Sequence, residues 1–131
     1  MTPRVVLGMT LYNNTGHLRE ATESLLCQTE AGFALVMLDD GSSSKSEHMA
    51  REYEARDRRI RYRRHAERRG MVPTWREVFD IARREYPAAE YFAWVSDHDV
   101  WHARWLQELV SVLDEYPGVV LAYPKIGRAH V

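Results

Sequence analysis

The segment Val95-Ser96-Asp97-His98-Asp99-Val100-Trp101 joins a hydrophobic run to a pair of carboxylates. The run that leads into it, Tyr91 to Val95, is rich in aromatic residues and is typical of a buried β-strand. Asp97 and Asp99 therefore lie where this strand should end. In an open α/β sheet, ligands bind just beyond the carboxyl ends of the strands. Two carboxylates at such an edge suit Mn²⁺ or Mg²⁺, which in turn bind phosphate groups.

Composition indicates one folded domain without a membrane span. The chain has 131 residues, of which 45% are hydrophobic and 28% are charged, as expected of a globular protein and not of a disordered one. No run approaches the ~20 apolar residues of a membrane-spanning helix, and the first residues are unlike a signal peptide. The single cysteine, Cys27, excludes an internal disulfide and is expected to be a small buried side chain. We expect a cytoplasmic protein, and association of a full-length form with the inner face of the membrane stays open.

Positive charge is concentrated in one part of the chain. The net charge is −1, yet twelve of the sixteen arginines lie between Arg51 and Arg84, among six acidic residues. Such a stretch could face phosphate or an anionic membrane. The default interpretation is that most of these side chains are solvated faces of helices and strands.

Hydrophobic periodicity predicts an alternation of strands and helices. The expected strands are residues 5–9, 33–38, 60–63, 91–95 and 119–123, and the expected helices are residues 17–28, 44–56, 73–87 and 103–116. Ser44 and Glu47 match the capping-box pattern at the start of the second helix. This order predicts an α/β fold with a mainly parallel sheet covered by helices on both faces.

Three polar clusters would then meet at the carboxyl edge of the sheet. They are Thr10 to Asn13, Asp39 to Ser42, and Asp97 to Asp99. Each cluster has a simpler interpretation by itself, since Asp-Asp-Gly is commonly a turn and an Asp-x-Asp triplet can be a helix cap with a solvated neighbour. Their common location is what favours a ligand site.

The same motifs, taken in order, resemble family 2 glycosyltransferases. Val5 to Asn13 is similar to the first strand and loop of that family, and Asp39-Asp40-Gly41-Ser42 is similar to its D-D-G-S turn. Arg69-Gly70 and Asp97 to Trp101 resemble its later nucleotide and metal elements. The resemblance spans Val5 to Tyr123 and implies a truncated glycosyltransferase A domain, with a Rossmann-like sheet that binds a nucleotide-diphosphate sugar.

The resemblance implies roles for residues around the nucleoside base. Thr10 and Tyr12 would border the base, with the Tyr12 ring as a stacking surface, although a tyrosine packed at a strand end is the alternative. Asp40, or Asp39 beside it, would accept a hydrogen bond from a base N–H. Asp97 would lie near the ribose and the metal.

It also implies roles around the phosphates. Asp99 would bind Mn²⁺ or Mg²⁺ directly, with Asp97 beside it, and the cation would stabilise the departing nucleoside diphosphate. Arg69, with Arg68 or Arg76 as alternatives, would hold the diphosphate. His98 departs from the family pattern, in which a small or acidic residue is more common; it could contact the metal or the sugar, or point into solvent.

By resemblance, the reaction would be an inverting transfer in which a carboxylate base deprotonates an acceptor hydroxyl. No convincing candidate for that base precedes Lys125, since Glu90, Asp114 and Glu115 lie before a strand or at a helix end. Residues 1–125 are therefore expected to hold donor and metal groups but no catalytic base, and to be inactive alone. The expected partners are a nucleotide-sugar donor and an unknown saccharide, lipid or protein acceptor, without nucleic acid.

Two other functions compete. A nucleotidyltransferase would need a glycine-rich loop after the first strand, where Thr10 to Gly16 has one glycine. A non-catalytic nucleotide- or polyanion-binding module would use the arginine-rich stretch and bind without a metal.

Residues 126–131, Ile-Gly-Arg-Ala-His-Val, match the translation of a sequencing adaptor and are expected to be a non-native tail.

Overall fold

Strands and helices alternate along the chain in the computed structural model, which describes residues 2–124. The strands are β1 (Val5–Leu11), β2 (Phe33–Asp39), β3 (Ile60–Arg64) and β4 (Tyr91–Val95). The helices are α1 (Leu18–Leu26), α2 (Ser44–Arg56), α3 (Met71–Glu85) and α4 (Trp105–Glu115). Eight of the nine expected elements are therefore present, with ends shifted by a few residues.

All four strands run parallel in one sheet, in the order β3-β2-β1-β4. The two central strands are buried almost throughout, and every residue of β2 is buried. This explains their nearly continuous hydrophobic sequence, because a parallel sheet is covered on both faces. The carboxyl ends of β1, β2 and β4 consequently lie at the same edge.

Two hydrophobic cores lie on opposite faces of this sheet. Successive strand residues point to opposite faces, so Leu7 packs on the side of α1, α2 and α4, whereas Val6 packs on the side of α3. The α3 side is completed by Val36, Leu38, Val78, Ile81 and Ala82. Helices therefore cover both faces, as predicted.

Gly8 in β1 allows Phe92 and Val78 to lie close to the β1 backbone, on the face of the sheet that α3 covers. A Cβ atom built on Gly8 would lie 2.8 Å from the ring of Phe92 and 3.1 Å from a methyl group of Val78. The absence of a side chain at this position therefore lets the aromatic ring of β4 and helix α3 pack directly against the backbone of β1.

The expected fifth strand is wrong. Residues 119–124 form no strand, and Val120, Leu121 and Tyr123 are exposed. A strand needs a hydrogen-bonding neighbour, and within residues 2–124 the edge strand β4 pairs only with β1. The hydrophobic composition of this segment favoured a strand, but no described partner is paired with it.

Two local predictions are also wrong. The first residue of α2 is Ser44, the preceding Ser43 makes no side-chain cap, and Glu47 instead pairs with Arg51. Cys27 is exposed at the end of α1 and not buried.

The proposed tail at residues 126–131 lies outside the described residues. None of the described helices combines the length and hydrophobicity needed to span a membrane.

Candidate functional site

Two asparagines join the three loops at the carboxyl edge of the sheet. The backbone N–H of Asn13 donates to Ser42 Oγ at 2.8 Å, and Asn13 Oδ1 accepts the Ser43 N–H at 2.7 Å. The Asn14 side-chain amide donates to the carbonyl oxygen of Asp97 at 2.6 Å. Asn13 has a φ of 51°, in the left-handed region that asparagine tolerates well. The loops after β1, β2 and β4 are therefore held together.

A pocket of about 210 Å³ opens between these loops. Its walls include four of the predicted site residues, Thr10, Tyr12, Asp40 and Asp97. They are completed by Leu11, Arg68, Met71 and Thr74. The structure thus brings together side chains that are up to 87 positions apart in the sequence, as Thr10 and Asp97 are.

Asp40 is the most heavily hydrogen-bonded carboxylate of the pocket. Its Oδ1 accepts from the Arg69 N–H at 2.7 Å and contacts His65 Nδ1 at 2.8 Å, while its Oδ2 accepts from the Gly70 N–H at 2.9 Å. Burial alone would raise the pKa of Asp40, but these hydrogen bonds outweigh burial and hold it below its ordinary value. Asp40 is therefore an ionised acceptor, and Oδ2 keeps a lone-pair site for a ligand.

Asp39 has a structural role in the geometry seen here. It is completely buried, and its carboxylate accepts from the Ser42 N–H and from the Tyr62 hydroxyl. Burial, followed by the hydrogen bond to Asp39, strongly raises the pKa of Tyr62. Of the two adjacent aspartates that the sequence left open, Asp40 is the one that lines the pocket.

The turn after β2 packs tightly against the segment that follows β3. Gly41 has a φ of +82°, and a Cβ atom there would lie 3.1 Å from the backbone nitrogen of Arg68. Only glycine meets both requirements without strain. This close approach brings the Arg69 and Gly70 amides within reach of Asp40.

Of the three candidate arginines, Arg68 is the one that lines the pocket. Its guanidinium lies 4.3 Å from the centre of the Tyr12 ring, which is 41% exposed. The Arg69 guanidinium instead pairs with Glu77 at 3.1 Å. Arg76 lines a neighbouring apolar groove. The sequence favoured Arg69, whose backbone amide, and not its charge, contacts Asp40.

Asp97 and Asp99 offer oxygen ligands in different environments. Asp97 lines the pocket, with one carboxylate oxygen 3.0 Å from His98 Nδ1, whereas Asp99 is exposed. The hydrogen bond to Asp97 raises the pKa of His98. Within residues 2–124, no three His, Cys, Asp or Glu side chains group closely enough to hold a metal ion by themselves. One or two carboxylates completed by substrate phosphates are the usual ligands of Mg²⁺. Asp97 lies in the pocket and fits that pattern, whereas Asp99 is not among the residues that line the pocket.

Several arginines of the arginine-rich stretch form ion pairs with nearby carboxylates. Arg51 and Arg64 pair with Glu47, Arg59 pairs with Asp57, and Arg61 and Arg63 pair with Glu85. Five of the twelve arginines in this stretch are thereby paired with three carboxylates. The default interpretation of this stretch is the one that the geometry favours.

The family model for glycosyl transferase family 2 matches residues 7–129. The chain belongs to this family. The family 2 chain is 26% identical over 134 residues to Protein CgeD of Bacillus subtilis, covering all of this chain and 31% of CgeD. It is 32% identical over 87 residues to the putative glycosyltransferase EpsH of Bacillus subtilis, covering 66% of this chain and 25% of EpsH.

Solved structures agree on the fold of this family 2 chain. S. aureus TarS residues 1–349, in complex with UDP-GlcNAc, superposes with a TM-score of 0.74 at 17% identity, covering 86% of this chain and 31% of that 1–349 chain. The mannosyltransferase PcManGT of Pyrobaculum calidifontis, in complex with GDP-Man and Mn²⁺, superposes with a TM-score of 0.71 at 19% identity, covering 86% of this chain and 33% of PcManGT. The Rossmann-like fold predicted from the sequence is confirmed. The family 2 chain spans at most about a third of the length of each of these matched chains.

Proposed function

We propose that this chain is the donor-binding part of a metal-dependent glycosyltransferase, which binds a nucleoside-diphosphate sugar in the pocket between β1, β2 and β4. The observation that carries the proposal is the shared pocket of Asp40 and Asp97, with Tyr12 and Arg68 on the same wall. The Asp40 carboxylate suits an N–H of the base, and the Tyr12 ring suits the face of the base. The Arg68 guanidinium suits the diphosphate.

Base recognition in this proposal uses Asp40 and Tyr12. The free lone-pair site on Asp40 Oδ2 would accept one N–H from a uracil or guanine imide, because the other acceptor sites are occupied by protein donors. The exposed Tyr12 ring would stack against the base, and Thr10 would border it. The UDP-GlcNAc bound to TarS and the GDP-Man bound to PcManGT are consistent with either base.

Arg68 is our choice for the diphosphate, because its guanidinium already lines the pocket. Asp97 and Asp99 would hold a divalent cation, and PcManGT, in complex with Mn²⁺, supports metal use by a structurally similar protein. Such a cation supplies Lewis-acid stabilisation of the departing diphosphate. Asp97 and Asp99 would hold this cation, and Arg68 would share in neutralising the phosphates.

We assign no described residue as the base of an inverting transfer. Asp114 accepts hydrogen bonds at 2.7 Å from both Arg4 and Tyr91. Arg4 directly precedes β1 and Tyr91 begins β4, so Asp114 lies at the amino edge of the sheet. The pocket is at the opposite edge, which leaves Asp114 a structural role.

Calorimetry with Mn²⁺ and UDP or GDP tests the donor site. Asp99→Asn should weaken nucleotide binding at least about tenfold, equivalent to ~1.4 kcal/mol, because it removes a charged metal ligand. Asp80→Asn is the matched control, since Asp80 is an exposed carboxylate like Asp99 but lies on α3 and not in the loop after β4. Equal affinity in the Asp99→Asn and Asp80→Asn variants would refute the metal assignment. Metal-independent binding that falls steeply with salt would instead favour a polyanion-binding module.

A further inference from the structure

His65 is a buried histidine that faces a carboxylate on each side. It follows the last residue of β3 and is 4% exposed. Its Nδ1 lies 2.8 Å from Asp40 Oδ1, and its Nε2 lies 2.9 Å from Glu77 Oε1 on α3. The His65 backbone N–H donates to the Asp39 carbonyl at 2.9 Å, which fixes the ring at the end of the sheet.

This geometry satisfies an imidazolium better than a neutral imidazole. A neutral ring carries one N–H, so it can donate to one of the two carboxylates only. Its other nitrogen would then present a lone pair to a carboxylate oxygen at hydrogen-bond distance. In a buried position such an unmade hydrogen bond is costly. The protonated ring donates to both carboxylates.

The same carboxylates hold the segment that forms one wall of the pocket. Asp40 accepts the Arg69 and Gly70 amides, and Glu77 Oε1 accepts the Arg69 guanidinium at 3.1 Å. A closed ring of contacts therefore runs from Asp40 to His65, from His65 to Glu77, and from Glu77 to the Arg69 side chain. The Arg69 backbone N–H completes the ring by donating to Asp40. Arg68, which carries the guanidinium over Tyr12, lies within the enclosed segment.

We propose that His65 is a positioning residue whose protonated form holds the Arg68–Gly70 segment against Asp40, so that loss of its proton weakens nucleoside binding. The inference rests on the proposed function, because it concerns the same base site. His65 itself touches no ligand in this account. It acts by orienting Asp40 and by fixing the segment that carries Arg68.

Charged groups from each neighbouring segment face this histidine. Asp40 at the end of β2 and Glu77 on α3 contact the ring, and Arg69 contacts Glu77. Arg68 Nε lies 3.9 Å from Asp40 Oδ2, and the Arg64 guanidinium donates to the His65 carbonyl at 3.4 Å. In these contacts the two carboxylates touch the His65 ring, whereas the arginines touch the carboxylates or the His65 backbone.

The test uses NMR titration of the 131-residue chain between about pH 5 and about pH 8, the range in which histidines change charge. The His65 ring signals and the Arg69 and Gly70 amide signals are followed together. Affinity for uridine and guanosine is measured in EDTA, so that neither phosphate nor metal contributes. We compare the wild-type chain with His65→Gln, and with His48→Gln as a control at an exposed histidine on α2.

Both amides should shift with the same midpoint as the His65 ring. Nucleoside affinity should fall about tenfold as His65 loses its proton, the order expected for one charge-assisted hydrogen bond. This pH dependence should persist in His48→Gln and disappear in His65→Gln. Amides that ignore the His65 titration, or an affinity that stays constant through it, would overturn the inference. Failure of both nucleosides and of Mn²⁺-UDP or Mn²⁺-GDP to bind would refute the proposed function instead, with the amide signals still deciding the role of His65.

Discussion

At the scale of single residues, hydrogen bonds between segments that are distant in the sequence fix the positions of the pocket's charged side chains. The sequence singled out Asp40, Tyr12 and Asp97, and all three line the pocket. It did not single out Asn14 or His65. Their roles depend on hydrogen bonds across 83 and 25 positions, respectively, and no local pattern encodes those distances.

The hydrogen bonds to Asp40 predict how its contribution to stability depends on pH. They lower its folded-state pKa, so their stabilising effect is complete above the ordinary pKa of an Asp, about 4, and is lost as pH falls from there through the lowered folded-state pKa. Asp40→Asn should lower the free energy of unfolding by about 2 kcal/mol at neutral pH. The deficit should shrink below about pH 4, where the wild-type carboxyl gains a proton.

Urea unfolding at several pH values measures this difference. Asp80→Asn provides the comparison, because Asp80 is exposed on α3 and should show no such pH-dependent deficit. A deficit in Asp40→Asn that stays constant down to pH values where the protein still folds would show that the ionised carboxylate is not what the Arg69 and Gly70 amides require.

At the scale of elements, hydrophobic periodicity correctly predicted four of the five expected strands and all four helices, because each of these buries one face or both. The observed ends of the elements differ from the predicted ends where tertiary contacts outweigh local sequence preference. Ser43 precedes α2, and its N–H is bonded by the Asn13 side chain instead of a capping-box partner. The segment at residues 119–123 has strand-like composition, yet a strand also requires a neighbour, which composition does not reveal.

The packing of β1, β4 and α3 around Gly8 makes a prediction about the sheet. Gly8→Ala should destabilise the fold by about 1–3 kcal/mol, because the added methyl group must displace Phe92 or Val78. Gly16→Ala is the control for the backbone effect, since a Cβ atom at Gly16 meets nothing within 4 Å. Urea denaturation measures both variants, and Phe92→Leu should reduce the cost of Gly8→Ala. Equal stability of the two alanine variants would contradict this packing.

At the scale of the whole molecule, the two edges of the sheet have different roles, one structural and one in the candidate site. The amino edge is closed by Arg4, which pairs with Glu90 and Asp114 and so ties β1 to β4 and α4. The carboxyl edge carries the pocket, with its loops joined by Asn13 and Asn14. The family 2 fold was predictable from motif order, whereas the choice of Arg68 over Arg69 required the packing of the 65–70 segment.

The central claim is that the loops after β1, β2 and β4 form one site for a nucleotide and its cation. Paramagnetic NMR broadening by Mn²⁺ in the presence of UDP or GDP tests it most directly. We predict that the broadened amides include Thr10, Asp40 and Asp97, that the broadening strengthens when nucleotide is added, and that Arg4 and Asp114 at the opposite edge are spared. Broadening centred away from Asp97, or unaffected by either nucleotide, would contradict the account.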